Sequence, residues 1–337
     1  MEFSVVIPVF ERIKLLERCL KSLEEQLLKP KKIIIIDNNI KKKESSLLLN
    51  SINKFKAKSF IDIEVYKSIK NSGAIARNIG VKNVKSPLVA FLDSDVILDK
   101  DYYSTLIEYF LENTDLIAIQ GVDKSFIETQ KKLASCTKIF PRLVNYFEQF
   151  FETSSLINKK LAYVSPSLAV AHPDAKKDFE VDSQWVSTCA GIFRRSIFKS
   201  YSFPNQFITY SNNEYLFLSY SLFKNNEGRM IYTSKAKYRD VQTRSGRLNF
   251  IPLIFQIEVH DYYIFMQLFD KSLINIFIFF KSRIGHLLYN IGSLIARRIF
   301  TIENFILVMF SFVYPLIHVC SIKKGNLFFY EKDFYLK

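Results

Sequence analysis

Short, unbroken apolar runs alternate with amphipathic stretches through the first 120 residues. Residues 3–9 read as a strand that Pro8 ends. Residues 11–28 then carry apolar side chains at 13, 16, 20, 23 and 27, one face of a helix, until Pro30 stops it. Four consecutive isoleucines in 32–36 form a second run, closed by Asp37-Asn38-Asn39. A third, 61–66, leads to Asn71-Ser72-Gly73 and a helix carrying Ala76, Arg77, Asn78 and Gly80. After Pro87, residues 88–92 form a fourth run, which ends in Asp93-Ser94-Asp95, and residues 101–110 read as a helix. Strands alternating with helices predict an α/β fold with a doubly wound, mostly parallel sheet.

Farther along, residues 124–180 mix Lys124, Lys131, Lys132, Lys138 and Arg142 with many aromatics and read as largely helical. Residues 181–193 look extended and hold the single tryptophan, Trp185. A helix is expected over 213–225, with Gly228 ending it. From Ile251 the chain turns strongly apolar. The pattern divides it into a domain over 1–250, with halves at 1–120 and 121–250, and a helical C-terminal extension over 251–337. Residues 305–320 are apolar except for Ser311 and His318, but sixteen helical residues span only about 24 Å, short of the ~30 Å hydrocarbon core of a bilayer. The extension therefore reads as a helical pair on a membrane surface, a homodimer seam, or a core-packed tail.

Charge sharpens this picture. Lysine and arginine number 47 against 33 acidic residues, a net charge of +14 over 337 residues. Such a surplus suits phosphorylated substrates or an anionic membrane surface. No basic run with a recognition motif occurs, so no nucleic acid partner is expected. Cys19, Cys136, Cys189 and Cys320 form no C-x-x-C pair, which argues against a zinc site or disulfide framework. The first residues lack the pattern of a signal peptide. The expected location is the cytoplasm, with the inner face of the cell membrane as a docking place.

Asp93 and Asp95 carry the first hint of chemistry. Two carboxylates leaving the end of a buried strand suit Mg²⁺ or Mn²⁺ bound together with a phosphate-bearing substrate. Alone, D-x-D equally describes a solvated turn, with Asp99 capping the next helix. A calcium loop does not fit, because the positions that need Gly and oxygen ligands hold Leu98, Ile97 and Ser104.

Four elements together resemble the family 2 glycosyltransferases, which have the GT-A fold. Ser4-Val5-Val6-Ile7-Pro8-Val9-Phe10 is similar to their opening strand, and Ile36-Asp37-Asn38-Asn39 to the end of their second. Asn71-Ser72-Gly73-x-x-Ala76-Arg77-Asn78-x-Gly80 resembles their segment in which N-x-G is followed closely by A-R-N-x-G, and Asp93-Ser94-Asp95 their D-x-D. Gly191 to Phe198 is similar to their segment leading to the acceptor side. The family then has an acidic pair opening a helix; here Asn213-Glu214 stands in its place.

The resemblance implies an inverting transfer of sugar from a nucleoside diphosphate sugar, most often a UDP-sugar, to a hydroxyl of a glycan or lipid-linked glycan, as in surface polysaccharide biosynthesis. It implies a donor site lined by Pro8, Asp37, Asn71, Gly73, Arg77 and Asp93. Asp37 would accept from the uracil imide, and Arg77 would donate to the nucleotide. A Mn²⁺ or Mg²⁺ cofactor would rest on Asp95 and Asp93. Glu214 would be the base, against the alternative of a solvated carboxylate at a helix N-terminus. Where many relatives have a metal-binding His, this chain reads Tyr238-Arg239-Asp240, so either Asp240 substitutes or that third ligand is missing. Trp185 reads either as a sugar-stacking side chain or, more simply, as core. A catalytically inactive binding protein of the same fold is the alternative of another class. A nucleotidyltransferase is disfavoured, because residues 10–13 hold no glycine for a phosphate loop.

Overall fold

The computed structural model describes residues 1–134, 139–158, 160–175, 177–209, 213–241 and 248–334; Cys136 and Lys138 lie outside them. In chain order, β1 (Phe3–Val9), α1 (Ile13–Glu24), β2 (Lys32–Asp37), α2 (Lys42–Lys56), β3 (Asp62–Lys67), α3 (Gly73–Asn83) and β4 (Leu88–Phe91) alternate strictly. Then come β5 (Val96–Leu98), α4 (Tyr102–Glu112), β6 (Leu116–Asp123), α5 (Lys124–Ala134) and α6 (Ile139–Phe151). Short strands follow: β7 (Leu156–Ile157), β8 (Leu161–Ala162), β9 (Ala171–His172), β10 (Glu180–Ser183) and β11 (Ile192–Arg194), with a 3₁₀ turn at Arg195–Lys199. After α7 (Glu214–Lys224) and β12 (Arg229–Asp240) the rest is helical. It comprises α8 (Phe250–Leu268), α9 (Leu273–Ala296), α10 (Ile302–Ile317), α11 (Val319–Lys323) and α12 (Phe328–Phe334).

The chain forms two compact units. The first comprises Met1–Lys132, Lys160–Ala162 and Pro173–Arg247; the second comprises Leu133–Lys159, Tyr163–His172 and Leu248–Lys337. The first unit holds a mixed sheet in the order β3-β2-β1-β4-β11-β6-β12-β10-β8, with β5 paired to β12. Strands β1 to β4 are parallel to one another, and β11 runs antiparallel between β4 and β6. The isoleucine run is continuous because both faces of β2 are covered: Ile33 to Ile36 are all fully buried. On one face Phe3, Val5, Ile7 and Val9 join a core with Leu16, Leu20 and Leu23 of α1 and Tyr102, Leu106 and Phe110 of α4. Val6 points to the other face and meets α3, where a Cβ on Gly80 would stand 2.2 Å from Val6 Cγ1. Gly80 thus lets the helix lie close on the strand.

Local departures from the sequence reading have simple causes. Strand β1 runs through Pro8 to Val9, where it still pairs with Ile36 and Asp37 of β2. Helix α1 is shorter than its apolar pattern, since Leu27 and Leu28 lie exposed beyond it. Asp101, not Asp99, occupies the N-cap of α4, and Asp99 pairs with Lys124. Trp185 is core, packed against Tyr215 and Tyr232.

In the second unit, α8 is buried among its neighbours and packs with α9, α10, α11 and α12; β7 and β9 form a small parallel pair.

Candidate active site

The parallel strands β1, β2, β3 and β4 all end on one edge of the sheet, and the polar residues of the sequence motifs follow those ends. Asp37, the last residue of β2, is buried. Its Oδ1 accepts from the backbone and side-chain amides of Asn39 at 3.0 and 2.8 Å, and its Oδ2 from Lys67 Nζ at 2.9 Å. Burial pushes the Asp37 carboxyl up, but the hydrogen bonds from Ser45, Lys67 and Asn39 outweigh it and hold it below the usual range. Lys67, at the end of β3, is a member of this cluster that the sequence reading passed over.

Asn71-Ser72-Gly73 is built as a helix entry. The Ser72 side chain accepts from Ile75 N at 3.1 Å, capping α3. Asn71 Oδ1 accepts from Asn38 Nδ2 at 2.9 Å, and Ser72 N donates to Asn38 Oδ1 at 3.1 Å, so the ends of β2 and β3 are stitched together. Gly73 N donates to Thr209 O at 3.4 Å. Asn78 donates to Phe203 O and accepts from Phe203 N, at 2.9 and 3.0 Å. Asn78 and Gly80 therefore hold the architecture, whereas Arg77 turns to the carboxylates of Asp93 and Glu214.

Arg77 is buried, and its guanidinium joins two carboxylates. Nη1 donates to Glu214 Oε1 at 2.6 Å and Nη2 to Asp93 Oδ1 at 2.7 Å. Glu214 is the first residue of α7, reached through Asn213 in the left-handed conformation, φ 61°. Burial pushes its carboxyl up to about 7; Arg77 pulls it down and Asp93 pushes it up. Asp93 is the open member, with 31% of its side chain exposed against 7% and 6% for Arg77 and Glu214. Cys189 Sγ donates to Asp93 Oδ2 at 3.3 Å. Burial, then the Asp93 charge, push the Cys189 thiol well up, so it stays protonated.

Asp95 is buried and meets Arg12, whose Nη1 lies 2.5 Å from Asp95 Oδ2. Arg12 reaches it from a strained turn: Glu11 and Arg12 both adopt left-handed conformations, φ 57° and 49°. Asn39 Oδ1 fixes that turn by accepting from Glu11 N at 2.6 Å. No motif spacing marks Arg12 or Cys189, because a backbone turn and an antiparallel strand entry bring them in. Asp240 comes alongside through β12, opposite Val96, and the next amide, Val241 N, donates to Asp95 O at 3.0 Å. Pro8 sits one residue before the end of β1, beside Ile36.

Among the described residues no three His, Cys, Asp or Glu side chains stand close enough to hold a metal ion by themselves. Asp93 and Asp95 still fit a hard divalent ion in donor chemistry, and a guanidinium on Asp95 shows that this buried carboxylate takes a cationic partner. Mg²⁺-type sites commonly use one or two carboxylates and draw their other ligands from substrate phosphates and water.

The chain is similar to known proteins over this region and beyond. It is 32% identical over 115 residues to the poly(ribitol-phosphate) β-N-acetylglucosaminyltransferase TarP of Staphylococcus aureus (strain N315), a match spanning 34% of this chain and 35% of that protein. In fold it resembles residues 1–349 of S. aureus TarS in complex with UDP-GlcNAc, with a TM-score of 0.53 at 15% identity over 98% of this chain and 89% of that one. It also resembles the mannosyltransferase PcManGT from Pyrobaculum calidifontis in complex with GDP-Man and Mn²⁺, with a TM-score of 0.51 at 11% identity over 96% and 84%. The profile of glycosyl transferase family 2 matches residues 4–176, just over half of the chain, and takes in every strand end from Asp37 to Asp95. The chain belongs to glycosyl transferase family 2.

Proposed function

We propose that this glycosyltransferase moves a sugar from a UDP-sugar to a hydroxyl of a glycan or lipid-linked glycan, with inversion, in surface polysaccharide biosynthesis. The observation that carries the proposal is the bridge of Arg77 between Glu214 and Asp93, which joins the helix-opening carboxylate to the D-x-D across 137 and 16 residues of sequence.

Asp37 and the Asn38–Asn71 pair would receive the uracil and ribose, with residues 1–120 as the donor half and 121–250 as the acceptor half. Pro8, Asn71 and Gly73 would shape that pocket through the backbone. Asp95, with Asp93, would hold a Mn²⁺ or Mg²⁺ ion, which supplies Lewis-acid stabilisation of the leaving diphosphate. Arg77 binds Oε1 of Glu214 and so orients the carboxylate. The acceptor oxygen forms a bond to the anomeric carbon while the bond from that carbon to the diphosphate oxygen breaks. The hydroxyl proton passes to Glu214, and UDP departs with the bonding electrons. A base near pKa 7 matches the proton's need at neutral pH. The UDP-GlcNAc complex of TarS and the activity in TarP's name support this choice of donor and a polymeric acceptor.

A thermal-shift titration tests the donor assignment. UDP with Mn²⁺ is expected to raise the melting temperature more than GDP or dTDP does, and Asp95→Ala to abolish the metal-dependent part. Equal shifts with all three nucleotides, or none, would remove UDP as the donor nucleotide.

A further inference from the structure

The second unit exposes far more apolar side chain than its own packing needs. On α10, Ile302, Ile306, Met309, Val313 and Ile317 are all exposed, between 41% and 77%. At 100° per residue they share one arc of the helix, while Val308, Ser311 and Tyr314 on the other side are buried. On α9, Phe277, Ile284, Leu288 and Ile295 repeat the pattern and are exposed as well. The two helices pack on each other, joined by the turn at 297–301, where Ile299 and Phe300 are also exposed. Single exposed apolar residues are ordinary; two parallel stripes on adjoining helices mark a surface that another apolar phase covers.

The charges around the stripes identify that phase. Between Lys271 and Lys324 the sole acidic side chain is Glu303, against seven lysines and arginines; Arg283 is buried and Lys281 pairs with Glu152, and the other five are exposed. Arg297 and Arg298 lie exposed at the joining turn. Lys271, Lys323 and Lys324 lie exposed at the other end, where Gln267 Nε2 donates to Lys323 O at 3.0 Å. No helix among the described residues is long and apolar enough to cross a membrane. An apolar stripe flanked at both ends by positive charge fits the boundary between acyl chains and anionic headgroups.

We infer that α9 and α10 lie flat on an anionic lipid bilayer, their exposed stripes in the acyl boundary and the terminal basic residues on the headgroups. The inference goes beyond the sugar-transfer reading and does not depend on which sugar is moved.

Vesicle flotation of the full chain tests it. In about 0.05 M salt, the protein is expected to float with vesicles holding about 30% phosphatidylglycerol and to stay down with pure phosphatidylcholine; near 1 M salt, where the Debye length is ~3 Å, it should be released. Ile306→Glu with Val313→Glu should abolish flotation while UDP still shifts the melting temperature. Arg298→Glu with Lys324→Glu should weaken vesicle binding by more than about twentyfold, at roughly fivefold per basic residue. Failure of the wild-type protein to float in low salt would overturn the inference, as would flotation that both double variants retain. So would an oligomer in light scattering that the Ile306→Glu, Val313→Glu variant dissolves while the wild type ignores vesicles; the occupant would then be a second copy of the chain.

Discussion

Two buried arginines organise the two units with the same chemistry. In the first, Arg77 bridges Asp93 and Glu214; in the second, Arg283 bridges Asp261 at 2.5 Å and Glu258 at 3.7 Å. In both, one glutamate carboxyl is pushed up to about 7, chiefly by burial, against the pull of its arginine. In both, the arginine Nε makes no hydrogen bond. What differs is access. Asp93 keeps 31% of its side chain open, whereas Arg283, Asp261 and Glu258 keep 1%, 4% and 4%. An arginine flanked by two acids is thus no signature of catalysis by itself; what sets the first cluster apart is that its arginine ties the helix-opening Glu214 to the D-x-D. The first cluster keeps an open carboxylate, Asp93, just past the carboxyl end of β4; the second is sealed inside a helical unit.

The largest effect expected from breaking that symmetry is on folding. Arg283→Met leaves two acids without a countercharge in a sealed core and should cost about 3–5 kcal/mol in chemical denaturation. Arg77→Met should cost less, because Asp93 can turn to solvent. If the two variants lost stability equally, the difference in access would carry no energetic meaning.

A smaller effect is expected from pH. The folded-state pKa of Glu258, about 7, lies above the ~4.3 of an unfolded glutamate. Between these values the folded chain binds more protons than the unfolded one. The contribution is fully present below about pH 4.3 and is lost as pH rises through about 7. Urea titrations from pH 5 to 8 should show the second unit weakening as pH rises, and Glu258→Gln should flatten that slope. An unchanged slope in the variant would mean that Glu258 is ionised in the fold.

How much of this was legible depended on where the signal lay. The strand ends at Asp37 and Asp93 were readable because strands covered on both faces are continuous apolar runs, and a run's end is visible. Helix α2 was missed, since only Leu48, Ser51 and Ile52 of its fifteen residues are buried and its pattern is mostly lysine, serine and asparagine. Strand β12 was missed for a related reason: its interior buries Thr233 and Ser234, which hydrogen-bond to Phe179 just before β10 and interrupt the apolar run. The expected roles of Asp93, Arg77 and Glu214 came from motif order, but their contact spans 137 residues and belongs to tertiary structure. Arg12 carried no signal, because two left-handed residues aim it. The Arg283 cluster had one that went unread, in Glu258 and Asp261 three positions apart within a strongly apolar helix.

The most direct measurement is UDP release from UDP-N-acetylglucosamine and UDP-glucose by the wild type, Glu214→Gln and Glu258→Gln, side by side with their melting curves. Loss of a general base should lower the rate of Glu214→Gln by about 10²- to 10⁴-fold, while Glu258→Gln turns over like the wild type. A Glu214→Gln variant as active as the wild type would contradict the assignment of the base, and with it the distinction between the open cluster and the sealed one.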